Sequence, residues 1–182
     1  VLRLEAYVIV SGDGMLADAT GVMPDSLKFE ADARFFSGAL DEVDVIVHGR
    51  RSFEDQPNSP RRRRIFATRS VRSLAVDPDH PRSTLWNPAG ASLEAACAHA
   101  GVTDGRVAII GGPSIWAMFF GRYETFWLSQ APQVRIPGGQ GVFPGVPAQT
   151  PEQVLRASGL VPGEKRVLDA ARDVLVTPWR RS

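Results

Sequence analysis

RVAIIGGPSIW, residues 106–116, is the stretch whose reading decides the fold. Arg106–Ile110 is a short apolar run without polar alternation, which is how a strand buried on both faces reads. It stops at Gly111-Gly112, and Pro113 stands where a helix accepts proline, in its first turn. A strand, a two-glycine turn and a helix over roughly Ser114–Phe120 therefore follow one another directly. Glycines at such a turn let a ligand approach the backbone closely. The free N–H groups and partial positive charge of a helix start suit a pyrophosphate. A tight turn with no ligand is the competing reading.

Other strand-like runs lie on either side of this unit. Leu2–Val10 is rich in β-branched and aromatic residues, Val43–His48 ends at Gly49, Arg64–Thr68 follows a Pro/Asn/Ser loop, and Thr125–Ser129 stops before Pro132. Arg166–Ala170 and Val174–Thr177 are spaced to pair across a tight turn. Helices are expected between the strands. Glu30–Leu40 puts Phe35, Phe36, Ala39 and Leu40 on one stripe, and Ser92–Ala100 opens on Ser92 as N-cap and stops at Gly101. This alternation predicts an α/β single domain with a mostly parallel central sheet, an antiparallel C-terminal edge and flanking helices. The Gly/Pro-rich segment 132–147 is too short to link two domains.

Bulk properties narrow the function classes. The chain has 182 residues, enough for one core, and 21 Lys+Arg against 20 Asp+Glu leave a net charge of +1. With 43% hydrophobic and 23% charged residues, the composition is that of a globular protein. One cysteine, Cys97, excludes an internal disulfide and a cysteine-based zinc site. His48, His80 and His99 show no metal-ligand spacing, so no metal is expected. No apolar run is long enough for a transmembrane helix, and Val1–Val10 reads as a strand rather than a signal peptide. A cytoplasmic protein that engages no membrane is the expectation.

Between Arg50 and Arg72 stand eight arginines against two acids, Glu54 and Asp55, and four of the eight, Arg61–Arg64, are consecutive. A solvated loop is the ordinary explanation of such a run. Arg50 and Arg51, however, directly follow Gly49 at a strand end, and Arg69 follows the strand Arg64–Thr68. In parallel sheets ligands gather beyond the carboxyl ends of strands. Two strand ends carrying Arg, Ser and Thr, with the Gly-Gly turn as a third, make one site for a phosphate-rich ligand. Arg meets phosphate by bidentate hydrogen bonds, so a 2′-phosphorylated dinucleotide, NADPH, suits this site better than NAD. Nucleic-acid binding through the same run is disfavoured by the near-zero net charge and the lack of interleaved aromatics.

Several familiar patterns fail. VSGDGMLA, residues 10–17, matches G-x-G-x-x-A after a strand, but Asp13 would set a negative charge at the pyrophosphate and no helix follows. There is no Gly-Lys dipeptide for a P-loop and no G-x-S-x-G for a hydrolase elbow. Cys97, in an Ala-rich helix, reads as a small packed residue.

Taken in order, SGDGMLA (11–17), VMP (22–24), VIVHGRRSFE (45–54), PRRRRIFATRS (60–70), VAIIGGPSIW (107–116), TFWLSQ (125–130) and GVFP (141–144) resemble the dihydrofolate reductase superfamily, which includes the riboflavin-pathway reductase domain. The resemblance spans roughly residues 4–178. It implies NADPH-dependent hydride transfer to a heterocycle. Matched position by position, Gly49, Arg50, Arg51 and Ser52 would meet the cofactor phosphates and nicotinamide side. Thr68 and Arg69 would hold the adenosine 2′-phosphate, and Gly111, Gly112, Ser114 and Ile115 would form the pyrophosphate turn, where a cis Gly-Gly bond is common. Ala6 and Val8 would line the pterin pocket, Arg62 would grip a folate carboxylate, and Phe35 and Phe36 would line the substrate pocket or pack in the core. Asp32 is the match for the active-site acid, with Glu30 as the neighbouring candidate, and Ser129 for the hydroxyl that orients it. A carboxyl in an apolar cleft has its pKa raised by desolvation and can hold a proton near neutrality for the nitrogen of a C=N bond under reduction.

Where dihydrofolate reductases usually follow Met-Pro with Trp, Met23-Pro24 is followed here by Asp25. SGDG and DVIVHGRRSFE look more like the riboflavin-type members. The substrate expected is thus a small heterocycle: dihydrofolate or another pterin such as dihydromethanopterin, or 5-amino-6-(5-phosphoribosylamino)uracil. A fold that has lost catalysis and acts as a nucleotide- or nucleic-acid-binding module is the reading from another class. Riboflavin-type relatives imply a homodimer, folate-type relatives a monomer.

Overall fold

A computed structural model describes residues 1–182. Its centre is a run of six parallel strands. In spatial order these are β8 (Tyr123–Ala131), β1 (Leu2–Ser11), β7 (Gly105–Ile109), β3 (Val45–His48), β4 (Arg64–Ala67) and β6 (Ser83–Trp86). Beyond β8 the C-terminal strand β12 (Val174–Arg181) runs antiparallel, and β10 (Leu160–Pro162) and β11 (Arg166–Asp169) pair along its outer side. The mostly parallel centre and antiparallel C-terminal edge are as expected. The opposite edge is antiparallel too, because β5 (Leu74–Val76) folds back on β6. A separate pair, β2 (Met15–Ala17) with β9 (Gln140–Gly141), lies off the main sheet.

Strand alternation sends neighbouring side chains to opposite layers. On one face, Tyr7, Ile46, Ala108 and Ile110 pack under α1 (Glu30–Asp41) against Phe35, Phe36 and Leu40. On the other, Ala6, Val47, Val107 and Ile109 join the larger core. That core takes Cys97 from α2 (Leu93–His99), Trp116 from α3 (Pro113–Met118) and Leu155 from α4 (Pro151–Ala157). Ser92 is the N-cap of α2, its hydroxyl accepting from Ala95 N–H at 3.1 Å, and Gly101 past its end has φ +86°. Cys97 is fully enclosed and burial pushes its thiol up to about 12. No helix is long and apolar enough to cross a membrane.

Elements absent from the sequence reading are β2, β5, β6, β9, β10 and α4. The helix after Gly-Gly, expected over Ser114–Phe120, spans only Pro113–Met118. At under two turns its summed dipole is small, so any anion there depends more on individual N–H groups than on a macrodipole.

Candidate functional site

The ends of β7, β3 and β4 lie side by side in the sheet, which brings the three phosphate-suited turns together. Gly49 N–H donates to Gly111 O at 2.7 Å, tying the β3 turn to the β7 turn. The Gly111-Gly112 bond is cis, and Gly111 has φ +115°. A Cβ added at Gly111 would stand 2.8 Å from the Trp116 ring, so only glycine fits beneath α3. Trp116 is in turn fixed by its Nε1–H donating to Ile109 O at 3.1 Å, and its own carbonyl accepts from Tyr123 OH at 2.7 Å.

Above these turns runs a cavity of about 790 Å³, lined by Gly49, Arg50, Arg51, Ser52, Thr68, Arg69, Gly112, Ser114 and Ile115 among others. Of the ten residues expected to hold a cofactor, nine line it; Gly111 does not, its carbonyl being taken by Gly49 N–H. Its hydroxyls, guanidiniums and bare glycine backbone fit a dinucleotide's phosphates. At Gly112 a Cβ would meet only Ser52 Oγ, at 3.7 Å, so backbone is directly open there. Thr68 Oγ1 accepts from Ser70 N–H at 3.1 Å, which shapes the loop carrying Arg69.

A second cleft, about 260 Å³ and mainly apolar, opens beside it, and Arg51 and Ser52 line both. Its walls include Val8, Leu16, Met23, Phe35, Phe36 and Ile110, and two acids border it, Asp32 and Glu54. Burial raises the Asp32 carboxyl above the usual carboxylate range, while the Ser129 hydroxyl, directed at it from β8, pulls the other way. Asp32 sits in the first turn of α1 and faces the sheet. Glu30, two residues earlier, faces solvent, pairs with Arg34 at 2.8 Å and lies outside the cleft. Phe35 and Phe36, expected either to line a pocket or to pack in the core, border the cleft and also pack tilted against Tyr7 at 6.2 Å centroid separations.

Two residues depart from expectation. Ala6 is fully buried in the main core and its side chain does not line the cleft; Val8, on the same face of β1 and nearer the strand's end, does, together with Tyr7 and Ile9. Arg62 is not free to grip a ligand carboxylate. Its guanidinium is buried and pairs with Asp41 at 2.7 Å and Glu54 at 3.0 Å, with a further bond to Gln56 at 2.7 Å. Arg64 pairs with the same Glu54 and stacks on Phe53 at 4.3 Å. The four consecutive arginines therefore alternate, 62 and 64 inward, 61 and 63 outward, as residues entering a strand do.

Glu54 is the cleft residue that sequence reasoning passed over. Its carboxylate is buried, borders the cleft, takes both inward arginines and accepts from Ser59 Oγ at 2.9 Å. The signal was present: an acid within a run of basic residues is the natural partner for any of them that goes inside. Asp13, rejected as part of a dinucleotide motif, accepts from Ser11 Oγ and from Ile136 N–H, 3.1 Å away, and so pins the turn after β1 to segment 132–136.

No family model and no curated protein sequence matches the chain. Solved structures do. Dihydrofolate reductase from Enterococcus faecalis, complexed with NADP(H) and RAB-propyl, superposes with a TM-score of 0.65 at 18% identity, over 99% of this chain and 96% of that one. A putative riboflavin biosynthesis protein from Shewanella sp. PV-4 gives 0.66 at 16% identity, over 99% of both chains. A diaminohydroxyphosphoribosylaminopyrimidine deaminase/5-amino-6-(5-phosphoribosylamino)uracil reductase from Thermotoga maritima gives 0.65 at 12% identity, and this chain spans 56% of its length. By its strand order and these superpositions, the chain has the dihydrofolate-reductase-like fold.

Proposed function

We propose that the protein is an NADPH-dependent reductase that delivers hydride to a C=N bond of a pterin-like heterocycle. The observation that carries this reading is the junction of two cavities through Arg51 and Ser52: one basic and hydroxyl-lined, the other apolar with one desolvated carboxyl, Asp32, that no cation pairs, Glu54 being taken by Arg62 and Arg64. NADPH, when bound in the first, supplies the hydride. Arg50 and Ser52 would hold its phosphates, and Thr68 and Arg69 would take the 2′-phosphate. In the second cavity, Val8, Phe35, Phe36 and Ile110 exclude water around a flat ring. Asp32, whose hold on a proton is strengthened by desolvation, donates to the ring nitrogen next to the carbon that is reduced, and Ser129 fixes the carboxyl's orientation. The E. faecalis neighbour's NADP(H) complex supports the choice of cofactor.

A second substrate reading, a ribosylaminouracil phosphate as in the riboflavin pathway, draws on two observations. Asp25, in place of a tryptophan, is exposed beside Lys28, at 3.2 Å, and does not enter the cleft. Arg62, the expected clamp for a folate tail, is already paired.

NADPH oxidation, followed by absorbance against dihydrofolate, dihydromethanopterin and the aminouracil ribosyl phosphate, tests the reading. Thermal unfolding supplies an independent measure. NADPH at two-hundredfold its Kd adds about 3 kcal/mol of stability, and NADH at the same concentration adds less. No stabilisation by either nucleotide, together with no oxidation on any substrate, overturns the proposal.

A further inference from the structure

The run of four arginines leaves two side chains without a task. Arg62 and Arg64 go inward to Glu54, while Arg61 and Arg63 stay exposed and pair with no carboxylate. Arg82, from the segment entering β6, joins them and is likewise exposed and unpaired. Its Nη1–H donates to Arg61 O at 3.0 Å, which ties the two arginine-bearing segments together. All three, with Arg62, border one hollow of about 350 Å³.

The topology explains why they meet. Asp44, Arg63 and Arg82 each stand one residue before a strand, and those strands, β3, β4 and β6, are parallel neighbours. Arg64 N–H donates to Arg82 O at 3.0 Å, so Arg63 and Arg82 come side by side. Like charges on adjacent strands cost stability unless something offsets them. Two acids reach the hollow, and both are engaged: Asp41 holds Arg62 at 2.7 Å, and Asp44 Oδ2 accepts from Arg106 N–H at 2.7 Å. Arg62 Nε is buried and has no partner. The hollow therefore sets four guanidiniums against two occupied carboxylates, and no aromatic side chain borders it.

We propose that this hollow binds a compact, multiply charged oxyanion of the pyrophosphate class, at a site separate from the groove that suits a dinucleotide. Guanidiniums meet phosphate oxygens with paired hydrogen bonds, and a ligand carrying several charges offsets Arg61, Arg63 and Arg82 at once. With no aromatic wall a nucleobase finds nothing to stack on, so the anion itself is the ligand. The groove lies at the other end of the same strands. Four residues in β3 and four in β4 separate the two ends by roughly 13 Å, and no residue lines both cavities. The proposal stands apart from the reductase reading.

The test follows backbone amide NMR signals at low salt during titration with inorganic pyrophosphate, inorganic phosphate and ADP. Pyrophosphate is expected to shift the amides of residues 41–46, 61–63 and 82 saturably, with phosphate binding there roughly tenfold more weakly. Combining Arg61→Gln with Arg82→Gln is expected to raise the pyrophosphate Kd read at those amides by roughly tenfold. Both side chains are exposed, and the remaining signals of the variant, unmoved, report that it is folded. Pyrophosphate that enters the dinucleotide groove is read apart, at residues 49–52, 68–69 and 111–114. Shifts confined to that groove, or no saturable shift at all, overturn the proposal. So does an unchanged Kd in the double variant, or a phosphate Kd within about threefold of the pyrophosphate Kd, which would mean that a single charge is enough. ADP binding at the same amides roughly tenfold more tightly than pyrophosphate assigns the hollow to a nucleotide and overturns the compact-anion reading.

Discussion

The Asp32 carboxyl on α1 and the Ser129 hydroxyl on β8 face each other in one apolar cleft, brought there by two elements on opposite sides of the chain's midpoint. This pairing sets both the proton chemistry proposed for the site and its cost to the fold. Asp32→Asn is expected to lower turnover by about 100-fold or more, the range for losing a general acid, while changing the NADPH Kd little. The same variant is expected to melt higher at pH 7. The folded-state pKa of Asp32 lies above its unfolded value, so its ionised form is disfavoured in the fold as pH rises. The gain from Asn is therefore absent well below the usual carboxylate range and grows as pH climbs through the raised pKa. Full turnover in Asp32→Asn at pH 7 removes Asp32 as the acid, and a melting difference that shrinks as pH rises contradicts the desolvation account.

Arg69 follows Thr68 at the end of β4 and lines the basic groove without an acidic partner. Arg69→Gln is expected to raise the NADPH Kd by about tenfold, roughly 1.4 kcal/mol, and to leave NADH binding nearly unchanged. Calorimetric titration with both nucleotides checks this. An equal loss for both would mean that Arg69 does not read the 2′-phosphate.

Glu54 holds two buried guanidiniums, so its removal leaves cationic groups inside without compensation. Glu54→Ala is expected to destabilise the fold by about 3–5 kcal/mol, the usual cost of breaking a buried pair from one side. Adding Arg64→Met should recover part of the loss, because the orphaned charge goes with it. Urea unfolding of the single and double variants reads both outcomes. A double variant no more stable than Glu54→Ala contradicts the account.

His48, buried at the end of β3, is held neutral. Burial lowers its pKa to about 4, against a bond to Gly49 O that works the other way. A depressed folded pKa contributes stability that is present above the unfolded value near 6.5 and is lost as pH falls toward 4. Stability from urea unfolding should therefore drop by about 2–3 kcal/mol across that interval, and His48→Gln should flatten much of the drop. A wild-type profile level between pH 6.5 and 4 is the contrary result.

Local chemistry made much of this fold legible. Arg106–Trp116 announced its strand, turn and helix because a run buried on both faces and a Gly-Gly-Pro turn leave few alternatives, and Ser92 marked its helix start through its hydroxyl. The adjacency of β7, β3 and β4, on which the groove depends, followed from the same parallel-sheet logic. β6 was missed because Ser83–Trp86 is four residues long, opens on two hydroxyl side chains and lies between prolines, although burial of Trp86 makes it part of the core. α4 was missed despite a complete capping box, Thr150 with Gln153, because it follows a Gly/Pro-rich stretch that reads as loop. At the site, the arginine run Arg61–Arg64 reads as a solvated loop in which only Arg62 is given a ligand to grip. Its division into inward Arg62 and Arg64 and outward Arg61 and Arg63 depends on Glu54 and Asp41 arriving from elsewhere, a tertiary fact that local pattern does not contain.

Both margins of the large sheet are built from short pieces: three residues in β5 on one side, and on the other three in β10, which ends at Pro162, and four in β11. Such stubs offer few free ladder groups, and proline offers no amide, so they resist stitching to a neighbouring molecule's strand and the runaway polymerisation that long open margins invite. Any self-association of this protein must therefore proceed through side-chain contact between broad surfaces and not by prolonging the sheet.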